Sequence, residues 1–488
     1  MPLPELIEIV PIEKPVDAKI TVPGSKSITN RALILAALSE GETILQGALW
    51  SEDTQVMAEA LNRLGFELRM DPDPEEYCNR KITVKGLGGR IPNQGMAAKP
   101  LEIFVGNAGT AARFLASMVC LERGVYRLNG TPRMNERPQA ALFSALRELG
   151  YRIESPNDKL PAIVHGGGPR AGRCRVSIQE SSQFASALLL CAKRGLWDVE
   201  VTGENAEESP YVAMTSKLME VFPKRGGIFE IEPDASSGSY FWGAGWLLNF
   251  QRPVPPDRGP LPPDFGVVRH GKRGEGGVPA SESVGGEPVQ STGISVSRWP
   301  KSGWQVDADL SRIIYSMAPQ GPGHPGGTEV RSHDAQLKDP AEISREDDLG
   351  DSIMTVAILA PFMGRIIRLT ELGRLRLQET ERVSALRTEL SKCGVEIVEK
   401  GDTLTIFPSR QKLHGTEIET YNDHRMAMCF AILGLQVRGI KIRNPSCVKK
   451  TFPNFFQKLA ASPPRGLGAR ILDGTTGKEL SQEELFAE

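Results

Sequence analysis

At 488 residues with 40 % hydrophobic content, the chain is too long for a single core and too apolar to be disordered. Its 58 Lys and Arg against 60 Asp and Glu leave a formal charge of −2, which excludes a general nucleic-acid binder held by bulk positive charge. The opening residues Met1-Pro2-Leu3-Pro4-Glu5 form neither a signal peptide nor a transit segment, apolar stretches such as Ile353–Met363 are too short to span a bilayer, and seven scattered cysteines without a CxxC pair read as reduced thiols. The expectation is a cytoplasmic protein with no membrane or nucleic-acid partner.

One pattern recurs along the chain: a short β-branched or apolar run, a polar turn of small residues, then a helix rich in Ala, Leu and Met. The first copy is Ile20-Thr21-Val22, the turn Pro23–Ser27 and the helix Ile28–Leu38. A second runs through Ile103–Val105, Gly106–Thr110 and Ala111–Cys120, and a third through Cys174–Ile178, Glu180–Gln183 and Phe184–Ala192. The fourth is Phe229–Ile231, Asp234–Ser237 and Tyr240–Leu248. The fifth turns at Asp347–Asp351 into Ser352–Ala360, and the sixth at Tyr421–Arg425 into Met426–Leu433.

Second amphipathic helices follow over Thr54–Leu64, Ala140–Leu149, Val212–Val221 and Thr380–Lys392. Gly65, Gly150 and Gly394 close three of them, since glycine takes the left-handed cap conformation without strain. A repeat this long is a subdomain and not a solenoid unit. The reading is an α/β protein of six similar units in two lobes. Asn249 to Thr292, rich in Pro and Gly, reads as an inserted surface loop, Gln320–Gly327 as a smaller insert, and the tail after Ala461 as peripheral.

Each polar turn precedes a helix N-terminus, where free backbone amides and the helix dipole attract phosphate or carboxylate. Ser, Asp and Asn there also serve as plain N-caps, but cations accompany them. Lys26, Ser27 and Arg31 share the first turn, with Ser27 and Arg31 four apart on one helix face. Arg133 and Arg137 flank Met134-Asn135-Glu136, Arg425 lies in the sixth turn, and Lys450 starts the last helix. Such a set suits a multiply anionic ligand. Asp351, at a helix start, and Glu379, three residues before Arg382, are candidate proton carriers, with capping or an intrahelical ion pair as the alternative for each. No phosphate loop, placed GxGxxG or HExxH motif is present, so a metal site is not expected.

These residues resemble the 3-phosphoshikimate 1-carboxyvinyltransferases, also called EPSP synthases. The resemblance runs in family order through PGSKSITNRAL (Pro23–Leu33), GNAGTAAR (Gly106–Arg113), PRMNERP (Pro132–Pro138), SSQF (Ser181–Phe184) and DASS (Asp234–Ser237). It continues through GDSIMT (Gly350–Thr355), QETER (Gln378–Arg382), NDHRMAM (Asn422–Met428) and KKTFPNFF (Lys449–Phe456).

The resemblance implies a two-lobed enolpyruvyl transferase fold of six βαβαββ units, three per lobe. Residues 1–22 with 235–488 would form one lobe, holding the 249–292 insert, and 23–234 the other. It implies an enzyme of the shikimate pathway, working without a metal or organic cofactor, that passes the enolpyruvyl group of phosphoenolpyruvate to the 5-hydroxyl of shikimate 3-phosphate; a monomer is the expectation. Lys26, Ser27, Arg31, Ser181, Ser182, Gln183, Tyr211, Asp351, Arg374 and Gln378 would hold shikimate 3-phosphate. Lys26, Asn107, Gly109, Arg137, Gln183, Arg382, Arg425 and Lys450 would hold phosphoenolpyruvate. Asp351 would accept the proton of the attacking hydroxyl, and Glu379, helped by Lys26, would protonate the methylene carbon.

The chain departs from the family pattern at Gln378 (often Lys), Arg374 (often Asn), Glu208 (a serine) and Phe114 (often Pro). Gly109 leaves room beside phosphoenolpyruvate, as in glyphosate-sensitive forms. Two rival readings remain: a UDP-N-acetylglucosamine enolpyruvyl transferase, opposed by the lack of a GGCAIG-like cysteine loop, and a non-catalytic anion-binding protein of the same fold.

Overall fold

The helices that follow the polar turns are Lys26–Leu38, Gly109–Met118, Gln183–Gly195, Ala235–Asn249, Ile353–Leu359 and His424–Gly434. The structure is a computed structural model that describes residues 3–203, 209–249, 293–317, 340–409 and 411–487. The long inserts at 250–292 and 320–327, and Glu208, lie outside the described residues. All ten residues of Gly109–Met118 and all eleven of His424–Gly434 are buried, the mark of helices that pass through a core. The helices Glu52–Arg63, Ala140–Glu148, Pro210–Val221 and Arg382–Lys392 are the amphipathic second members. Gly65, Gly150 and Gly394 after three of them take φ of 93°, 85° and 89°, the left-handed conformation their positions require.

Four four-stranded sheets share one pairing scheme, a parallel pair followed by two antiparallel pairings. One joins Leu101–Phe104, Arg123–Asn129, Ala162–Gly167 and Arg152–Glu154 in that order. Another joins Ala341–Ser344, Ile367–Thr370, Thr403–Ile406 and Ile397–Lys400. The other two complete the scheme with strands distant in sequence: Gly227–Glu230 pairs with Glu40–Leu49, and Leu6–Ile9 pairs with Ile440–Arg443. Two parallel pairs, Gly172–Ser177 with Trp197–Thr202 and Ala18–Ile20 with Ile294–Val296, make the remaining sheets. The strand expected at Ile20–Val22 ends at Ile20. Beyond it the chain turns away, and Thr21 Oγ1 donates instead to Glu76 Oε2 at 2.7 Å.

Buried apolar side chains fall into two clusters. One is drawn from Ile28 through Ile231, and the other from Leu3–Val22 together with Ala235–Ala487. The chain passes between them twice, side by side. Gly24 and Pro233 form an antiparallel bridge, and Asp234 N donates to Pro23 O at 2.8 Å. A Cβ on Gly24 would lie 1.9 Å from the Gly47 carbonyl oxygen, so this crossing tolerates only glycine.

The tail after Ala461 is not peripheral. Ile471–Asp473 adds a fourth strand beside Leu6–Ile9, and Leu467, Ile471 and Leu485 are buried. The Leu6–Ile9 strand would otherwise present an open edge, and the sparse apolar residues of the tail cover it.

Candidate functional site

Carboxylates at the crossing fix the helix starts. Asp234 accepts from Ser237 N at 2.7 Å with one oxygen and from Lys26 N at 3.3 Å with the other, so a single side chain serves the first turns of two helices. Asp423 accepts from Arg425 N at 2.9 Å and pairs with Arg382 Nε at 2.7 Å and Nη2 at 3.2 Å. The helix Gly109–Met118 starts at Ala108, which has no side-chain oxygen to offer its first amides.

These turns surround a cavity of about 110 Å³. Seven cations line it (Lys26, Arg31, Arg113, Arg137, Arg345, Arg374 and Arg425) against five carboxylates (Asp53, Glu180, Asp234, Asp351 and Glu379), so it is net positive even before the helix dipoles are added.

Asp351 sits among three guanidiniums. Its Oδ1 lies 3.1 Å from Arg345 Nη2, and its Oδ2 lies 3.0 Å from Arg425 Nε and 3.4 Å from Arg382 Nη1. Burial alone would raise its pKa, but Arg425, Arg382 and Arg345 outweigh that and hold the carboxyl well below the usual range. Glu379 bonds Arg382 Nη2 at 2.9 Å and Lys450 Nζ at 3.0 Å. Burial raises it too, but Lys450 and Arg382, with Arg137 behind them, hold it well below the usual range. Arg382, 0 % exposed, therefore joins both candidate proton carriers to Asp423. His424, beside them, is held well below the usual imidazole range by burial first, then by Arg425, Lys26 and Arg382 acting against Glu379.

Of the residues singled out in the sequence, Lys26, Ser27, Arg31, Gly109, Arg137, Ser181, Ser182, Gln183, Tyr211, Asp351, Arg374, Gln378, Glu379 and Arg425 line this one cavity. Arg382 and Lys450 stand behind it and reach it through Glu379. Asn107 contributes its backbone carbonyl, which accepts from Lys450 Nζ at 3.0 Å and from Arg137 Nη1 at 3.3 Å.

Three placements differ from the simple expectation. Lys26 pairs with Asp53 at 3.2 Å, and the lysine bonded to Glu379 is Lys450. Arg31 gives most of its donors to the protein: Nε to Thr215 Oγ1 at 2.7 Å, Nη2 to Ser186 Oγ at 2.9 Å and Nη1 to Ser27 O at 2.9 Å. Arg374 donates to Ile178 O at 3.0 Å while still lining the cavity.

The sequence reading missed Arg345, Asp53 and Arg113. Asp53 looks like an ordinary acidic residue in a first helical turn, and Arg345 stands in a charged stretch, Arg345–Asp348, with no periodicity to mark it. Arg113 lies inside the GNAGTAAR segment and bonds Gln183 Oε1 at 2.7 Å; a helical position facing a core gives no local sign of that partner.

Among solved structures, the chain is similar to the EPSP synthase of Acinetobacter baumannii, with a TM-score of 0.65, 19 % identity and coverage of 96 % of this chain and 99 % of that one. It is also similar to the enolpyruvyl transferase NikO of Streptomyces tendae, with a TM-score of 0.59, 14 % identity and coverage of 96 % and 99 %. The fold is that of the enolpyruvyl transferases, mixed α/β with several sheets, and here it encloses a cation-rich cavity whose carboxylates include Asp351 and Glu379.

The family model for EPSP synthase (3-phosphoshikimate 1-carboxyvinyltransferase) matches residues 10–225 and 324–459. The 3-phosphoshikimate 1-carboxyvinyltransferase of Opitutus terrae is 35 % identical over 476 residues, 96 % of this chain and all of the relative. That of Nostoc punctiforme is 33 % identical over 483 residues, 93 % and 98 % of the two chains. The chain belongs to the EPSP synthase family, and it is a transferase.

Proposed function

We propose that the cavity transfers the enolpyruvyl group of phosphoenolpyruvate to the 5-hydroxyl of shikimate 3-phosphate, releasing phosphate, as a step of the shikimate pathway. The observation that carries this reading is the joining of two buried carboxylates, Asp351 and Glu379, through Arg382 at the wall of a net-positive cavity. Both substrates are multiply anionic. Lys26, Arg137, Arg382, Arg425 and Lys450 hold phosphoenolpyruvate, with Gly109, Gln183 and the Asn107 carbonyl beside it. Ser27, Ser181, Ser182, Gln183, Tyr211, Arg374 and Gln378 hold shikimate 3-phosphate, with Arg31 acting mainly to brace Ser27.

The substrate oxygen adds to C2 of phosphoenolpyruvate, its proton passing to Asp351, while C3 takes a proton from Glu379 and becomes a methyl group. The tetrahedral adduct then expels phosphate from C2 with the proton held by Asp351, while Glu379 takes a proton back from the methyl group, which restores the double bond and both carboxyl groups. A carboxylate held as low as Asp351 is a weak base in the pairing described above. Substrate carboxylate and phosphate groups compete for Arg425, Arg382 and Lys450, and each pair drawn away lifts Asp351 and Glu379 toward values at which they exchange protons. Binding of the anions thus switches on the proton carriers, and the fixed cations stabilise the charge of the adduct.

We also propose two lobes of three βαβαββ units each, residues 1–22 with 235–488 and residues 23–234. The separate apolar clusters and the recurring pairing scheme support this. A cavity complete within one chain supports a monomer, and seven buried free thiols support a cytoplasmic setting. Among the described residues no helix is long and apolar enough to cross a membrane.

Phosphate release from phosphoenolpyruvate, measured with either shikimate 3-phosphate or UDP-N-acetylglucosamine as acceptor, tests the assignment. Release is expected only with shikimate 3-phosphate. Release with neither, from folded protein, would leave an anion-binding protein.

A further inference from the structure

We propose that Asp307, in the stretch between the two segments matched by the family model, is a positioning residue that aims Asp351 at the substrate hydroxyl. The amides of the two residues that flank Asp351 share one acceptor. Gly350 N and Ser352 N donate to the same oxygen, Asp307 Oδ1, at 2.9 and 3.0 Å, and Ser352 Oγ joins them at 2.6 Å. The other oxygen accepts from Ser236 Oγ, a residue of the cavity wall.

Asp307 is 3 % exposed, and the described partners of its carboxylate are neutral donors, with no ion pair among them. A helix cap would need only the bond to Ser352, at the start of Ile353–Leu359. The bond to Gly350 lies upstream of Asp351, outside the helix, and has no capping purpose. Together the two amides pin the peptide that follows Asp351 and the peptide one step before the residue, and so limit the direction in which its side chain leaves the backbone.

The carboxylate also packs closely against the turn. A Cβ on Gly350 would lie 3.1 Å from Asp307 Oδ1 and 3.2 Å from the Tyr211 hydroxyl. The neighbouring Gln305 ties the same segment to the chain crossing, accepting from Ala235 N at 3.0 Å and donating to Pro233 O at 2.9 Å. Asp307 thus transmits the position of the crossing to the carboxylate that Arg345, Arg382 and Arg425 hold at 3.0 to 3.4 Å.

This inference rests on Asp351 being the proton acceptor, and the test separates the two ideas. In the full-length enzyme, Asp307→Ala, Asp351→Asn and the double variant are compared by kcat and by KM for both substrates, with thermal melting as the check on folding. Misplacement by about 1 Å costs on the order of 100-fold, so Asp307→Ala should lose roughly that factor in kcat with each KM within about threefold. The double variant should turn over no more slowly than Asp351→Asn alone, because a misaimed group that has already been removed costs nothing further.

Asp307→Asn keeps an acceptor for both amides and should lose less than about tenfold in kcat, a loss that also vanishes in the Asp351→Asn background. That pair decides the matter if the alanine variant does not fold. The proposal is overturned if Asp307→Ala folds and keeps more than a third of kcat, or if its loss multiplies with that of Asp351→Asn. Normal turnover by Asp351→Asn alone would overturn the assignment of Asp351 itself.

Discussion

Replacing Asp351 with Asn removes the anion around which Arg345, Arg382 and Arg425 converge. The amide oxygen can still accept from Arg345, but the amide nitrogen would face Arg425 and Arg382 as donor against donor. Breaking a buried ion pair by neutralising one partner costs about 3–5 kcal/mol, and that is the expected loss of stability near neutral pH. Loss of a general base costs about 10²–10⁴ in rate, so turnover should fall by at least ~100-fold.

The two effects separate on adding an anion. Inorganic phosphate finds Arg425 and Arg382 short of one anion in the variant, so it should raise the variant's melting temperature more than the parent's. Substrate KM values should rise little or fall. Coupled phosphate-release kinetics and melting with and without phosphate read all three quantities. Turnover within about tenfold of the parent would refute the role of Asp351 as base. An equal phosphate shift in both proteins would refute the account of how its guanidiniums are held.

His424 makes stability depend on pH. The unfolded chain protonates it near its ordinary value of 6.5 and the folded one does not, so below that pH the unfolded state binds the extra proton and stability falls by up to about 1.4 kcal/mol per pH unit. Urea unfolding of His424→Gln between pH 7 and about pH 5 should show a flatter decline, and an unchanged slope would assign the effect to another group. The depressed carboxyls Asp351 and Glu379 contribute stability that is present above their unfolded values of 3.8 and 4.5 and is lost as pH falls below them. Arg382→Ala strands Asp423, 0 % exposed, and should cost about 3–5 kcal/mol in chemical denaturation, while Arg382→Lys should recover only part because it cannot span both Asp423 oxygens. In Gly109→Ala the new Cβ would lie 2.7 Å from Arg113 Nη1 and 2.9 Å from Arg137 Nη2. Initial-rate kinetics should show KM for phosphoenolpyruvate raised by roughly tenfold or more, with a smaller change for shikimate 3-phosphate.

What could be read in advance was whatever depends on near neighbours. The helix ends at Gly65, Gly150 and Gly394 were legible because a left-handed cap is a local demand of the backbone. The spacing of Ser27 and Arg31 was legible for the same reason and produces a real contact, Arg31 Nη1 to Ser27 O at 2.9 Å. That spacing could not show that Thr215 and Ser186, more than 150 residues away, take the rest of the guanidinium. Asp307 stayed hidden because its meaning lies in amides 43 and 45 residues further on. The tail was misread because Pro463, Pro464 and Arg465 give it a surface composition, while the few apolar residues that anchor it find their partners at the opposite end of the chain.

That last pairing orders events during synthesis. The cluster from Ile28 to Ile231 is contiguous, and all its fully buried side chains have been made once less than half the chain has left the ribosome, with Trp304 packing against it later. The strand Leu6–Ile9, made first, must wait for Ile440–Arg443 and Ile471–Asp473, made last. Its apolar face therefore stays unpaired through most of translation, the interval in which an exposed strand is most open to wrong partners or to a chaperone. Leu6–Ile9 and Ile471–Asp473 are neighbours in one sheet although more than 450 residues separate them, and that sheet is not complete until both have been made.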